Sequence, residues 1–206
     1  MITRAPASYV DSRRIGQATV TVVDDGTLRW NPQLQAPETE RRRAMPEAGA
    51  DGTLTLGLHV AHVRVGDASI LIDTGYDDPS SAFARAHPHF TSSPGVRAGL
   101  ASIGVRPEGI THVLITHPHG DHFLAATVAG VPRYPRARYL LGRRDWEGNP
   151  DRERPDSLLA RQLDPLDQLG LLDLVDDEHE VVPGVAMIGA PGESPGHSIV
   201  RVRSAG

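Results

Sequence analysis

The run Thr116-His117-Pro118-His119-Gly120-Asp121-His122 constrains this chain more than any other stretch. Four side chains of the kinds that bind divalent metals fall within six residues, directly after an apolar stretch at 112–116 that reads as a short buried strand. Packing several imidazoles together has a desolvation cost that a bound cation offsets. The fold must therefore carry a buried strand straight into a turn whose side chains converge. His117 and His119 are two apart, so in an extended turn both rings lie on one side and can grip one ion. Asp121 and His122 come after a turn at Gly120 and do not easily complete the same tetrahedron. Two adjacent ions, one per pair, fit the spacing better. Imidazole and carboxylate donors suit Zn²⁺ first, and Mn²⁺ or Fe²⁺ with less preference.

The surrounding pattern is one of strands alternating with helices, which predicts α/β layers with helices covering sheets. Residues 18–24 are rich in β-branched types and end in Asp24-Asp25-Gly26, a turn signal that predicts a hairpin. Residues 31–51 are polar and read as a long loop, of the kind that often forms a lid. Within it, Arg41-Arg42-Arg43 sits beside Glu38 and Glu40 and reads as a solvated loop. Alternation predicts a strand at 54–65, and the run Ser69-Ile70-Leu71-Ile72-Asp73 after Gly66-Asp67 predicts a second, the two forming a hairpin. Ser93-Pro94 opens a helix with Val96, Leu100 and Ile103 on its apolar face, and Gly104 stops it. Further strands are predicted at 137–141, 185–189 and 199–203. Residues 156–170 carry a helical leucine pattern that Asp164-Pro165 is expected to break in two.

Composition bounds the function classes. At 206 residues the chain is expected to form one domain. A net charge of −5 argues against a nucleic-acid surface. The absence of cysteine excludes disulfides, a thiol nucleophile and thiolate metal ligands. No apolar run approaches the ~20 residues that span a bilayer. The N-terminal residues lack the layout of a secretory signal, so a cytoplasmic protein is the expectation.

Thr116 to His122 resembles the signature of the metallo-β-lactamase superfamily. Leu71-Ile72-Asp73-Thr74-Gly75 is similar to that family's upstream strand end, and Ser194-Pro195-Gly196-His197-Ser198 to its loop bearing a third histidine. The resemblance implies an αββα sandwich and a zinc-dependent hydrolase. His117, His119 and His197 would hold the first metal, and Asp121 and His122 would be ligands of the second. Asp121 would also orient the attacking water or accept its proton, and Asp73 would support the metal loop from behind. The implied substrate is a small-molecule ester or lactone, as in lactonase-like and methyl-parathion-hydrolase-like members, with a phosphotriester or thioester next. Neither nucleic acid nor membrane is an expected partner, and a homodimer is left open.

The family pattern also includes a bridging aspartate and a last histidine further on, and neither type follows His197 before Gly206. A chain lacking its C-terminal portion is therefore expected, with a weakly active or non-catalytic metal-binding fragment as the competing reading. Among the other histidines, His59 and His62 read as one surface and one partly buried residue. His87 and His89 read as part of a loop, His112 as structural and His179 as solvated in an acidic turn. Asp73 could equally cap the Thr74-Gly75 turn. Trp30, Met45 and Phe90 could rim a pocket or anchor their loops.

Overall fold

In a computed structural model, residues 10–32, 36–76, 90–91 and 95–204 are described. The chain opens with β1 (Val10–Ile15), turns at Gly16, whose φ is 57°, and returns along β2 (Ala18–Trp30). A short helix, α1 (Glu38–Ala44), interrupts the excursion to β3 (Leu54–Val65), which turns back into β4 (Ala68–Ile72). A two-residue β5 (Phe90–Thr91) pairs with β2. Then come α2 (Val96–Ser102), β6 (His112–Ile115), the single turn α3 (Gly120–Phe123) and the small ribbon β7 (Thr127–Val128) and β8 (Val131–Pro132). After β9 (Arg138–Gly142), the helices α4 (Arg143–Glu147) and α5 (Leu158–Gln168) lead to β10 (Leu172–Val175). Three final strands, β11 (Glu178–Val182), β12 (Val185–Gly189) and β13 (Ser198–Val202), make a sheet of their own.

The large sheet runs β1-β2-β3-β4-β6-β9-β10, antiparallel up to β4 and parallel from β4 onward. Its parallel strands alternate apolar residues between two buried faces. Val113 and Ile115 of β6, and Tyr139 and Leu141 of β9, face a core shared with Val96, Leu100, Trp146, Leu159, Leu163 and Leu166 of the helices. Leu114 and Leu140 face the opposite way, against Val185 and Met187 of the second sheet. The layers are helix, sheet and sheet, in the order that the predicted αββα sandwich requires. No helix among the described residues is long and apolar enough to cross a membrane.

Several local expectations give way to tertiary pairing. Asp24-Asp25-Gly26 is a bulge inside β2 and not a hairpin turn: β3 continues past it, pairing Asp24 with His59 and Gly26 with Leu58, so the ladder bonds outweigh the turn signal. The 31–51 stretch is not all loop, because Arg41, Arg42 and Arg43 lie in the last turn of α1. There they complement the helix dipole, and Arg42 pairs with Glu38 at 2.8 Å. Residues 158–168 form one helix with Pro165 inside it. Ser157 caps its start by accepting from the Ala160 N–H, and burial of Leu159, Leu163 and Leu166 offsets the one backbone bond that proline removes. His179 is exposed as expected but stands in β11, where it pairs with Met187. The Ser93-Pro94 cap and the His87 and His89 loop lie outside the described residues.

Candidate metal centre

The site forms where β4 and β6, parallel neighbours, end side by side. Ligand sites in sheets of this kind lie at the carboxyl ends of such strands. At the end of β4, Asp73 adopts a left-handed φ of 62°, a conformation that Asp tolerates better than most residues but at some cost in strain. Its carboxylate, 7% exposed, explains why the conformation holds. Oδ1 accepts from the Thr116 backbone N–H at 2.8 Å, and Oδ2 accepts from the Thr116 hydroxyl at 3.0 Å and from His122 Nδ1 at 2.7 Å. Asp73 thus ties the first residue of the histidine turn to its last. Thr74 adds to this, its N–H donating to the His122 carbonyl at 2.7 Å. Behind it, the β2 bulge turns Asp25 inward, where its carboxylate accepts from the Tyr76 N–H at 2.7 Å. Gly75, with φ 69°, is needed because a Cβ there would overlap the Asp25 carboxylate.

The turn brings the histidines together. His117 Nε2 and His119 Nδ1 lie 3.1 Å apart, with ring centroids at 4.7 Å. The His122 and His197 rings lie 3.9 and 5.0 Å from that of His117. Burial, reinforced by the neighbouring His122 and His119, pushes His117 down to about 4, so its imidazole is neutral at pH 7. His122 differs. Burial alone would lower it, but its hydrogen bonds to Asp121 and Asp73 outweigh that and hold it up at about 10. For Asp121, burial works upward and the bond to His122 outweighs it, leaving the carboxyl below its usual range. Asp121 Oδ2 and His122 Nε2 stand 3.4 Å apart.

His197 arrives from the second sheet, on the loop between β12 and β13. Its Nδ1–H donates to the Ala190 carbonyl at 3.0 Å, which leaves Nε2 with the free lone pair. Asp145, at the start of α4 and only 2% exposed, pins this loop. Ser194 Oγ donates to its Oδ2 at 2.6 Å and the Gly196 N–H to its Oδ1 at 2.7 Å. Gly142 and Gly196 allow the two backbones to meet, since a Cβ on Gly142 would overlap the Gly196 carbonyl.

Two residues here escape sequence reasoning. Asp145 gave no motif signal. Glu193 lies four positions before His197, and its Oε1 is 3.3 Å from His119 Nδ1. His117, His119 and Glu193 each present one donor atom, all within 4.8 Å of one another. His197 is adjacent to that group but not within it, and Asp121 with His122 forms a separate pair. Two nitrogens held by one tetrahedral zinc ion would lie about 3.3 Å apart, so the spacing of His117 and His119 and the neutral state of His117 fit a divalent ion.

His62 and His112 behave structurally. His62 is buried, its Nε2 2.8 Å from Ser69 Oγ, and burial followed by the Arg64 charge pushes it down to about 4. His59 is exposed, and His112 Nδ1 bonds Thr111 Oγ1 at 2.9 Å. Met45 lines a cavity of about 210 Å³ around α1, Trp30 is 46% exposed, and the Phe90 side chain lies outside the described residues. An open cavity of about 500 Å³ lies beside the histidine turn, lined by Tyr76, Leu124, Val128, Arg133, Leu158 and Gln162. Burial, with the Asp121 and Asp25 charges, pushes the Tyr76 hydroxyl up to about 12, so it stays a donor.

The family profile of the metallo-beta-lactamase superfamily matches residues 59–206, well over half of the chain. The chain belongs to this superfamily. Among curated superfamily relatives, an N-acyl homoserine lactonase of Bacillus cereus is 25% identical over 148 residues, 67% of this chain and 55% of that protein. The chain thus spans about half the length of the curated relatives it matches. A probable metal-dependent hydrolase from Staphylococcus aureus superposes with a TM-score of 0.77 at 22% identity, over 94% of this chain and 71% of that one. A dizinc quorum-quenching lactonase, solved in complex with a product, superposes with a TM-score of 0.72 at 16% identity, over 95% of this chain and 71% of that one. These superpositions show the metallo-beta-lactamase fold.

Proposed function

We propose that the chain forms one metallo-beta-lactamase domain of a metal-dependent hydrolase acting on a small-molecule ester or lactone. The observation that carries this is His117 Nε2 facing His119 Nδ1 at 3.1 Å, with the His197 ring alongside. In this reading His117, His119 and His197 hold the first ion and Asp121 and His122 belong to a second, zinc being the expected metal. When bound, the metal supplies a water that is nucleophilic near neutral pH and polarises the carbonyl under attack.

The chain's own residues do the rest. Asp73 fixes the His122 ring by accepting its Nδ1–H, and the Ala190 carbonyl fixes His197 in the same way. Oriented imidazoles of this kind are a general feature of metal centres. In this reading Asp121, ionised beside His122, would orient a water or accept its proton. The cavity that Tyr76 helps to line offers apolar surface from Leu124, Val128 and Leu158 for an acyl or alkyl group.

The lactonase relatives favour a lactone over a phosphotriester or thioester as the first substrate to try. Zinc-loaded protein should be assayed against an N-acyl homoserine lactone, an aryl ester, a phosphotriester and a thioester. Turnover of the lactone or ester that disappears in His117→Ala supports the proposal. Equal rates in wild type and His117→Ala would overturn it.

A further inference from the structure

We propose that Glu193 is a further, carboxylate ligand of the metal held by His117 and His119, joining the imidazoles at that site. This rests on the metal-dependent reading above and goes beyond it in naming a donor that the histidine motif does not contain.

Three observations carry it. The first is convergence: Glu193 Oε1 lies 3.3 Å from His119 Nδ1, which itself lies 3.1 Å from His117 Nε2, and all three atoms fall within 4.8 Å. The two shorter spacings approximate edges of a coordination tetrahedron around an ion with bonds of about 2.0–2.2 Å. The second is support. Glu193 precedes Ser194 and Gly196, whose side chain and backbone are both tied to the buried Asp145, so the loop is held where the carboxylate meets the imidazoles. The third is the lack of another task. The Glu193 side chain is 58% exposed, and the ionisable side chain it meets is His119.

Glutamate beside imidazoles is an established donor combination for zinc in hydrolytic sites. An anionic donor also offsets one unit of the ion's charge. It should tighten binding and extend the site's tolerance to oxygen-preferring ions such as Mn²⁺.

The competing role is an outer one, in which Glu193 only accepts the His119 Nδ1–H and steadies that ring. Glutamine separates the two, since its amide oxygen still accepts that hydrogen bond but is a poor ligand. The experiment measures zinc affinity by chelator competition at pH 7 for wild type, Glu193→Gln, Glu193→Ala and His119→Ala, together with the visible spectrum of each cobalt-loaded protein. If Glu193 is a ligand, Gln and Ala both weaken zinc about tenfold or more and both change the cobalt bands. Wild-type affinity and spectrum in Glu193→Gln would overturn the assignment, whether or not Glu193→Ala binds more weakly. His119→Ala separates the two levels of inference. If it loses zinc while Glu193→Gln does not, only the glutamate assignment fails. If it too binds as wild type, the metal site itself is wrong. Because Glu193 is exposed, its variants should fold as wild type, and a thermal melt of each apo-protein checks this.

Discussion

Asp145 is where fold and site meet, so its replacement gives a demanding test. In Asp145→Ala the Ser194 hydroxyl and the Gly196 N–H lose a buried, charged acceptor at 2.6 and 2.7 Å. Hydrogen bonds to a charged group contribute about 1.5–3 kcal/mol each. The two share one acceptor and do not add fully, so the expected destabilisation is about 3–5 kcal/mol. Asp145→Asn keeps the shape and one acceptor oxygen but turns an NH₂ toward the other donor, which should halve the loss. Both variants release the loop carrying Glu193 and His197, and zinc affinity should fall about ten- to a hundredfold, as for other groups that orient metal ligands. Urea unfolding of the apo-protein reads the first quantity and chelator competition the second. If Asp145→Ala unfolds within about 0.5 kcal/mol of wild type and binds zinc equally well, the reasoning that Asp145 positions the loop is refuted.

Other expectations follow from single residues. Gly196→Ala should reproduce the affinity loss of Asp145→Asn, because its Cβ would sit 2.6 Å from the Asp145 backbone nitrogen; unchanged zinc affinity would count against the close approach. Leu163→Ala, at a fully buried helix position, should lower stability by about 2–5 kcal/mol in urea with its m-value unchanged, and a loss under about 1 kcal/mol would contradict the core assignment. His62 is held down to about 4 in the folded chain against 6.5 unfolded, so the unfolded state takes up its proton first as pH falls. Its contribution is therefore complete above about pH 7 and is lost from about pH 6.5 towards 4. Between pH 7 and 5 wild type should lose about 2 kcal/mol more stability than His62→Gln, and equal losses would contradict the account.

The strands of the core were legible because β4, β6 and β9, buried on both faces, read as short unbroken apolar runs, a signal carried within each segment. The histidine turn was legible for a similar reason, since its donors lie within a few residues of one another. Contacts across long separations were not. Asp145 meets Ser194 and Gly196 across 49 and 51 positions, and nothing beside it in the chain marks that role. Glu193 gave no signal because its partner, His119, lies 74 positions away in the chain. Asp25 was read as part of a turn because the pairing that converts the turn to a bulge is supplied by β3, beyond any local window. Pro165 was read as a helix break because local rules do not weigh the leucines on either side of it.

The central claim is that His117 and His119 grip one divalent ion. Elemental analysis of protein purified with zinc and then dialysed, comparing wild type with the His117→Ala, His119→Ala double variant, tests it most directly. The account predicts at least one tightly held ion per wild-type chain and its loss in the double variant. Equal metal content in the two proteins, or none in wild type, would contradict it.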